Sequence, residues 1–501
     1  MHLLNAIHSF YRQRQLTVII SCAAFLRFIA AMYSKGYAMH DDHFCVIEIA
    51  QRWVEGYGDW LGRGDSLRSI VYPGLHYLLF RLLEALEIFN PQIKMTVVRL
   101  LHAAYSLLTV YFGYRISQQL TDRASASRTG WLLAAFWLLP MLSVRNLIEF
   151  VCIPPLMAAT WLLYRADSNE RLLPNIAGGI CFGIAFAFRF QTLVMAAAVL
   201  LYFLAVRKWR RTVAVGCGVV AAAFCIQGIS DWLAYGYPFA STVEYVKYNS
   251  ASARSYVVGQ WYQYLLLLMG IFIPPVSLLL LYGWVASWKK IALLFWPSCA
   301  YLVFHSVYPG KQERFILPIL PFIIIAGVAG WRQSRLGERL SLARPRLMNG
   351  LWIWFWAINT VFLAICTPSY VKKARCETLI RIWSRHDCRA VIIEGRDADI
   401  TQTPRFYLGL DVPVYYFPSS KSVAALQSEI DSIGVVPNYA VCIGTDRIKE
   451  RIERLRSLSL TIVEECTVSP GVIDALLHRI NPRYNINYTS HVFRLPPSSC
   501  D

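Results

Sequence analysis

Two adjacent carboxylates, Asp41 and Asp42, follow directly on the apolar run that ends near residue 34. Ionisable side chains at the end of a membrane segment are energetically costly and often mark a functional site. Because neighbouring carboxylates repel each other, burial can leave one of them as a base that accepts a proton from a substrate hydroxyl. A solvated loop or a helix cap can contain the same pair, so the catalytic interpretation needs support from the rest of the chain.

Two cations, Lys311 and Arg314, lie in the stretch YPGKQERF of residues 308–315, where another apolar run begins. An arginine can hold a phosphate through a bidentate fork, and a lysine can hold it as a point charge. The alternative is that both side chains only anchor the end of a membrane helix.

Residues 230–264 interleave tyrosine and tryptophan with charged residues, and they include Asp231, Tyr245 and Trp261. Aromatic rings suit the faces of sugars, although an aromatic belt is also typical of a membrane interface. We predict that these three residues bind substrate.

The short stretch SVRNLIEF, residues 143–150, places Arg145 between two apolar runs, where we predict a further substrate-binding residue. A carboxylate pair, an aromatic segment and a basic pair together describe a site that activates a hydroxyl and stabilises a departing phosphate. That chemistry is the transfer of a sugar from a lipid phosphate.

The composition indicates that these residues are held by a membrane protein. Of the 501 residues, 56% are hydrophobic and 16% are charged, and the mean hydropathy is +0.41, values that exclude an ordinary soluble protein. The net charge of +18 comes from short basic clusters between apolar runs, which is typical of cytoplasmic loops and not of nucleic-acid binding. The 13 cysteines lack the spacing of a metal site, and no motif indicates a cofactor.

Apolar runs of about 20 residues suffice to cross a bilayer and predict about eleven spans. The basic clusters at 207–211 and 332–346 then share a side with the N-terminal YRQRQ, which the positive-inside bias assigns to the cytoplasm. The candidate site residues therefore face outward. Residues 74–90 are predicted to lie along the interface as an amphipathic helix. The predicted spans lie near residues 15–34, 95–117, 130–144, 147–164, 174–188, 191–206, 212–231, 263–286, 291–307, 315–331 and 348–367.

The character of the chain changes after residues 1–367, which form the predicted transmembrane domain. In residues 368–501, short β-rich runs such as AVIIEG and AVCIGT alternate with helical patterns. This alternation predicts an α/β domain with a largely parallel sheet. An odd number of spans with a cytoplasmic N-terminus places this domain outside the cell or organelle, as an extracytoplasmic cap.

Three stretches occur in the same order as in a known family. HDDHFCVIEIAQRWVEGYGDWL with LRSIVYPG, DWLAYGYPFASTVEYVKYN with WYQY, and KQERFILPILP lie within residues 15–331. They resemble signatures of the α-mannosyltransferase family that contains the GPI-anchor mannosyltransferases and the dolichyl-phosphate-mannose-dependent enzymes of N-glycan assembly. The resemblance implies the helical fold of the C-type (GT-C) membrane glycosyltransferases. It also implies an inverting displacement on a polyprenyl-phosphate sugar.

The resemblance assigns roles to particular residues. Asp41 and Asp42 match the acidic pair and are the expected catalytic residues. Lys311 and Arg314 match the basic pair, and with Arg68 they are the expected ligands of the donor phosphate. Ser69, which completes the RS match with Arg68, is expected to bind substrate. The implied partners are a polyprenyl-phosphate sugar donor, most simply of mannose, a lipid-linked or glycan acceptor, and membrane lipids.

Two features depart from the family pattern. The family has a histidine before the lysine and a glutamate after it, where this chain has Gly310 and Gln312. The C-terminal α/β domain resembles extracytoplasmic domains of bacterial members of the superfamily, which favours a bacterial inner membrane over the endoplasmic reticulum.

Two other functions compete with sugar transfer. A transporter or flippase of lipid-linked sugars should carry ionisable residues near the bilayer midplane and show paired repeats, whereas the conspicuous polar groups here lie in outward loops. A scaffold that uses the membrane part only as an anchor does not need so many spans.

Overall fold

The computed structural model describes residues 11, 13–57, 69–167, 171–254, 258–400, 403–458, 461–482, 485 and 488–495. The chain forms two compact units. The first comprises Met1–Ala31, Asp59–Gly74 and Arg99–Thr367, and the second comprises Met32–Gly58, Leu75–Val98 and Pro368–Asp501. The residues around Asp41 and Asp42 thus belong to the same unit as the C-terminal α/β region.

Apolar helices dominate the chain. Among the described residues, five helices are long and apolar enough to cross a membrane: Gln15–Tyr33, Pro91–Leu120, Trp209–Tyr235, Glu313–Gln333 and Pro345–Cys366. Shorter apolar helices are Leu172–Phe188, Phe190–Ala205, Val276–Ala286 and Ala292–Val307. A helical membrane protein with several apolar helices is therefore confirmed, while the number of eleven spans stays a prediction.

Several predicted spans are interrupted. Arg123–Ala135 is followed by Leu138–Ser143, and Gln263–Ile271 is followed by Val276–Ala286. Pro274 and Pro275 account for the second break, because proline has no backbone N–H for a helical hydrogen bond. Further helices of the first unit are Ile148–Val151, Ile153–Asp167, Ile229–Tyr235, Ala240–Ala251, Arg335–Ala343 and the 3₁₀ helices Phe190–Thr192 and Glu313–Ile319.

The side chain of Asn359 repairs the first break. Its Nδ2 donates to Ala135 O at 2.8 Å, and its Oδ1 accepts from Trp137 N at 2.9 Å. Backbone groups freed within an apolar environment need such partners. The fully buried Asn359 therefore holds the turn that breaks the span predicted at 130–144.

Glycine pairs let helices of the first unit approach closely. A Cβ at Gly218 would lie 2.2 Å from Ile176 O, and one at Gly330 would lie 1.9 Å from Gly283 O. Small residues at helix crossings allow this contact in membrane proteins. The first crossing fixes the helix Leu172–Phe188, whose end presents Arg189.

The second unit contains a five-stranded sheet in the order β2-β1-β3-β5-β4. β1 (Val391–Gly395), β2 (Val414–Pro418) and β3 (Tyr439–Ile443) are parallel, while β4 (Val463–Val468) and β5 (Ser490–Arg494) are antiparallel to their neighbours. The small C-terminal sheet is thus present, and its parallel part is limited to three strands. Helices of this unit are His40–Asp42, Ile49–Val54, Val71–Ala85, Lys373–Trp383, Asp397–Ile400, Val423–Ile433, Ile448–Arg456 and Val472–Ile480, with the 3₁₀ helix Arg405–Leu408. Val71–Ala85 continues from the first unit.

Candidate active site

The carboxylate pair lies on an irregular helix of the second unit. His40–Asp42 is α-helical, His43–Glu48 takes the wider π form, and Ile49–Val54 is α-helical again. Single π turns within helices are rare and frequently occur at functional sites. Asp42 is 2% exposed, whereas Asp41 is half-buried, so one carboxylate is shielded from water and the other has access to it.

Aromatic rings hold His43, the residue that follows Asp41 and Asp42, in place. The buried ring of His43 stacks on Tyr37 at 4.7 Å and 20° and on Tyr407 at 5.4 Å and 6°. Offset stacking of this kind stabilises a pair of rings beyond the area that it buries. Because His43 shares a helical turn with Asp42, the stack limits the positions that the carboxylate can take.

Glu48 ties the same helix to the C-terminal region. Its Oε1 accepts a hydrogen bond from Phe406 N at 2.8 Å and lies 3.4 Å from His43 Nε2. The ring of Phe406 also stacks on Phe80 at 5.4 Å. The residues around Phe406 therefore brace the helix that carries Asp41 and Asp42.

A second set of charged groups is buried in the first unit, where Arg189 and Arg314 share the carboxylate of Glu149. We call these three residues the arginine cluster. Arg189 Nη1 lies 2.6 Å from Glu149 Oε1, and Arg314 Nε lies 3.5 Å from the same oxygen. Arg189 Nε donates to the hydroxyl of Tyr301 at 2.9 Å. The exposed fractions are 3% for Arg189, 6% for Arg314 and 0% for Glu149.

Arg189 and Arg314 differ in how their hydrogens are used: Arg314 has partners besides Glu149, and its Nε donates to Gln312 Oε1 at 2.7 Å. Within the part of the chain that the structure describes, Arg189 Nη2 and Glu149 Oε2 are buried without a hydrogen-bond partner. Buried charges are expensive unless they are paired and hydrogen-bonded. A phosphate oxygen could accept from the unpartnered Nη2 of Arg189, and phosphate matches the fork of a guanidinium group.

Lys311 has a different environment from the one predicted. Its ammonium donates to three backbone carbonyls, His305 O and Ser306 O at 2.7 Å each and Tyr308 O at 2.5 Å. The ammonium has three hydrogens, so these bonds use its whole donor capacity, and burial lowers its pKa. This geometry is that of a cap on the helix Ala292–Val307, and it differs from the phosphate ligand expected from the sequence.

Asp231 is also placed differently from the substrate-binding role predicted for it. Its side chain is fully buried, and its Oδ2 accepts from Ser241 N at 2.9 Å and from Ser241 Oγ at 2.7 Å. Its Oδ1 accepts from Gln227 Nε2 at 2.8 Å, and Ser69 Oγ donates to Gln227 Oε1 at 2.6 Å. We call these four residues the Asp231 network. Because its acceptors are satisfied, Asp231 and Ser69 are placed to stabilise the fold.

The remaining predicted residues are dispersed. Tyr245 is hydrogen-bonded to Gln191 and lies edge-on to Phe190 at 5.5 Å. Trp261 is 65% exposed, and Arg145 is 3% exposed. Arg68 lies outside the described residues.

Arg189 and Tyr407 were not among the predicted site residues. A signal for Arg189 was present, because a single arginine separates two predicted spans, at 174–188 and 191–206, and ionisable residues within membrane segments are by default functional candidates. No local pattern indicated Tyr407, which reaches His43 only through the fold.

Known structures share this architecture. ArnT from Cupriavidus metallidurans bound to undecaprenyl phosphate superimposes with a TM-score of 0.63 at 12% identity, covering 96% of this chain and 97% of that one. The Archaeoglobus fulgidus oligosaccharyltransferase in complex with Zn and sulfate gives 0.53 at 11% identity, covering 85% and 67%. At such low identity the likeness shows the fold alone, which is that of the C-type membrane glycosyltransferases.

The chain belongs to the Alg9-like mannosyltransferase family, which it matches over residues 18–376. It is 25% identical over 325 residues to "Mannosyltransferase APTG1" of Arabidopsis thaliana, a match that covers 62% of this chain and 57% of the plant protein. It is 23% identical over 370 residues to "GPI mannosyltransferase 3" of Yarrowia lipolytica, covering 71% and 68%. The family resemblance seen in the sequence is thus confirmed. The preference for a bacterial membrane is not supported, since both relatives are eukaryotic, and the alternative of a transporter is not favoured.

Proposed function

We propose that this protein transfers a sugar, most simply mannose, from a polyprenyl-phosphate donor to a lipid-linked or surface glycan acceptor on the extracytoplasmic side of its membrane. The buried Nη2 of Arg189, which has no hydrogen-bond partner among the described residues, carries this proposal. It supports a donor with a phosphate, and membership of a mannosyltransferase family supports mannose as the sugar.

The leaving group needs cations. When the bond between sugar and phosphate breaks, negative charge grows on the phosphate, and fixed donors in a low-dielectric site stabilise that charge most in the transition state. Arg189 and Arg314 serve this role in our proposal. Arg189 replaces Lys311 as the second cation, because the Lys311 ammonium is committed to carbonyl oxygens.

The acceptor needs a base. We assign this role to Asp41, with Asp42 placing the acceptor or sharing the proton, from the match to the family's acidic pair. A base must reach the attacking hydroxyl within hydrogen-bond distance. The half-exposed Asp41 can meet a substrate, while the buried Asp42 is held by the helix that His43 and Glu48 brace.

The donor is tested with purified protein in nanodiscs and a panel of radiolabelled polyprenyl-phosphate sugars and nucleotide sugars. We expect transfer from polyprenyl-phosphate mannose to a lipid-linked glycan acceptor and none from nucleotide sugars. Transfer from nucleotide sugars alone would refute the proposed donor.

The base is tested in the same assay by Asp41→Asn. The variant should keep its melting temperature and its donor binding. Turnover should fall on the order of 100-fold or more, because the side-chain amide of asparagine cannot act as a general base. Full activity in both Asp41→Asn and Asp42→Asn would remove the carboxylate pair from the mechanism.

A further inference from the structure

The helix Val472–Ile480 of the α/β region exposes its apolar side chains and buries an acidic one. In a helix on the surface of a soluble domain, the apolar face packs inward and the polar face meets water. Here Val472 is 85% exposed, Leu476 55% and Ile480 71%, while Asp474 is only 2% exposed. At 100° per residue the three apolar side chains fall on one continuous face. An exposed apolar face of this kind marks an interaction surface.

Asp474 fixes this orientation. Its Oδ2 accepts a hydrogen bond from Lys372 N at 2.6 Å. The start of the helix also packs tightly on the same segment, because a Cβ at Gly471 would lie 2.2 Å from Tyr370 O. Rotation of the helix to bury its apolar face would break the hydrogen bond between Asp474 and Lys372 N and the packing of Gly471 on Tyr370.

The same segment is tied to the ends of two apolar helices. Lys372 comes six residues after Cys366, the last residue of the helix Pro345–Cys366, and six residues span at most about 22 Å. Val371 N donates to Lys35 O at 3.1 Å, two residues after Tyr33, where the helix Gln15–Tyr33 ends. Chain length sets the first limit, and a hydrogen bond within the second unit sets the other.

We infer that the helix Val472–Ile480 lies on the lipid surface, with Val472, Leu476 and Ile480 inserted at the membrane interface. Both tethers hold the helix near points where the chain leaves the bilayer. A short amphipathic helix binds this interface through its apolar face, and exposed Arg479 beside that face can reach lipid phosphates with its guanidinium group. The α/β region is then attached to the membrane by its own surface as well as by the polypeptide.

Lipid fits the face better than a protein does. The helix has nine residues, whereas a stable protein interface buries about 800 Å² on each partner. Binding to a lipid surface does not need so large a buried area. The two tethers keep the helix close to the membrane and so give it a high effective concentration there.

Photo-crosslinking of the full-length protein in nanodiscs tests this surface. A benzophenone amino acid replaces Leu476 in one sample and Glu450 in the control, and the nanodiscs contain phosphatidylcholine, phosphatidylglycerol and a tagged phospholipid. Glu450 lies on another helix of the same region with a side chain that is 72% exposed. Both sites are exposed, so neither change should disturb folding.

We expect the probe at Leu476 to label phospholipid at least about fivefold more than the probe at Glu450, because only the former reaches the acyl boundary. Equal lipid labelling at the two sites would overturn the inference. A crosslinked band between two copies of the chain, or to another protein, in place of the lipid adduct would also overturn it and assign the face to that partner.

Discussion

Two buried carboxylates in the first unit, Asp231 and Glu149, are both fully enclosed but have opposite surroundings. Asp231 accepts hydrogen bonds at both oxygens from the neutral groups of Ser241 and Gln227. Glu149 faces two guanidinium groups with one oxygen, and its other oxygen has no partner among the described residues. Buried polar groups are normally hydrogen-bonded, so unpartnered atoms such as Arg189 Nη2 call for an explanation, and a bound ligand is one.

The difference separates residues that have similar sequence contexts. Both acids lie beside apolar runs, and the sequence predicts a substrate ligand only at Asp231. The contacts of Asp231 are satisfied, while Arg189 beside Glu149 has a donor without a partner among the described residues, which supports our proposal of an anion there. Four substitutions test this distinction.

The largest effect is expected for Arg189→Gln. Removal of this guanidinium breaks its buried ion pair with Glu149, which should lower the free energy of unfolding by about 3 kcal/mol, and the phosphate loses a donor, so turnover is compared per folded molecule. Turnover should fall about 100- to 1,000-fold, the usual effect of removing one donor from a transition-state charge. Initial rates with saturating acceptor measure this change, and unchanged turnover would contradict a role for the cluster in catalysis.

Glu149→Gln should also destabilise the protein. It removes the carboxylate that pairs with the buried guanidinium of Arg189, which lowers the free energy of unfolding by about 3 kcal/mol. Added polyprenyl phosphate should restore part of that loss, since the ligand supplies negative charge. Thermal melts with and without the lipid measure both effects, and an absence of lipid-dependent recovery would count against the site.

Asp231→Asn is the matched control in the Asp231 network. It should lower the free energy of unfolding by about 2 kcal/mol, because two donors of Ser241 lose a charged acceptor. Turnover per folded molecule should stay within about threefold of wild type, as expected for a residue outside the catalytic machinery. A much larger loss of turnover at full folding would return Asp231 to the substrate site.

Lys311→Met should have the smallest effect on activity. The change removes a cation at a helix C-terminus and its bonds to three carbonyls, which costs about 3 kcal/mol of stability. Donor affinity should be nearly unchanged. Loss of donor affinity without loss of stability would instead support the phosphate role first predicted for Lys311.

The sequence was sufficient for features that depend on local pattern. Apolar runs predicted the helical membrane architecture, and the alternation of β-rich and helical stretches predicted the C-terminal sheet. Interruptions were harder to foresee, because the break after Ala135 depends on Asn359 from a distant helix. A hydropathy pattern contains no information about such a partner.

The candidate site was only partly predictable for the same reason. Residue type and spacing identified Arg314 and the carboxylate pair as candidates. Whether a cation can bind a ligand depends on the hydrogen bonds that it already makes within the protein. The turn that brings three carbonyls to Lys311 cannot be recognised in the sequence YPGKQERF. The stack of Tyr407 on His43 likewise joins residues far apart in the chain.

The most direct test of the arginine cluster is the equilibrium binding of polyprenyl phosphate, without sugar or acceptor, to protein in nanodiscs. Wild type and Asp231→Asn should bind the lipid equally, while Arg189→Gln should bind it on the order of 100-fold more weakly, because it lacks a charge-assisted donor to the phosphate. Equal affinity in wild type and Arg189→Gln would contradict the account and place the donor phosphate elsewhere in the molecule.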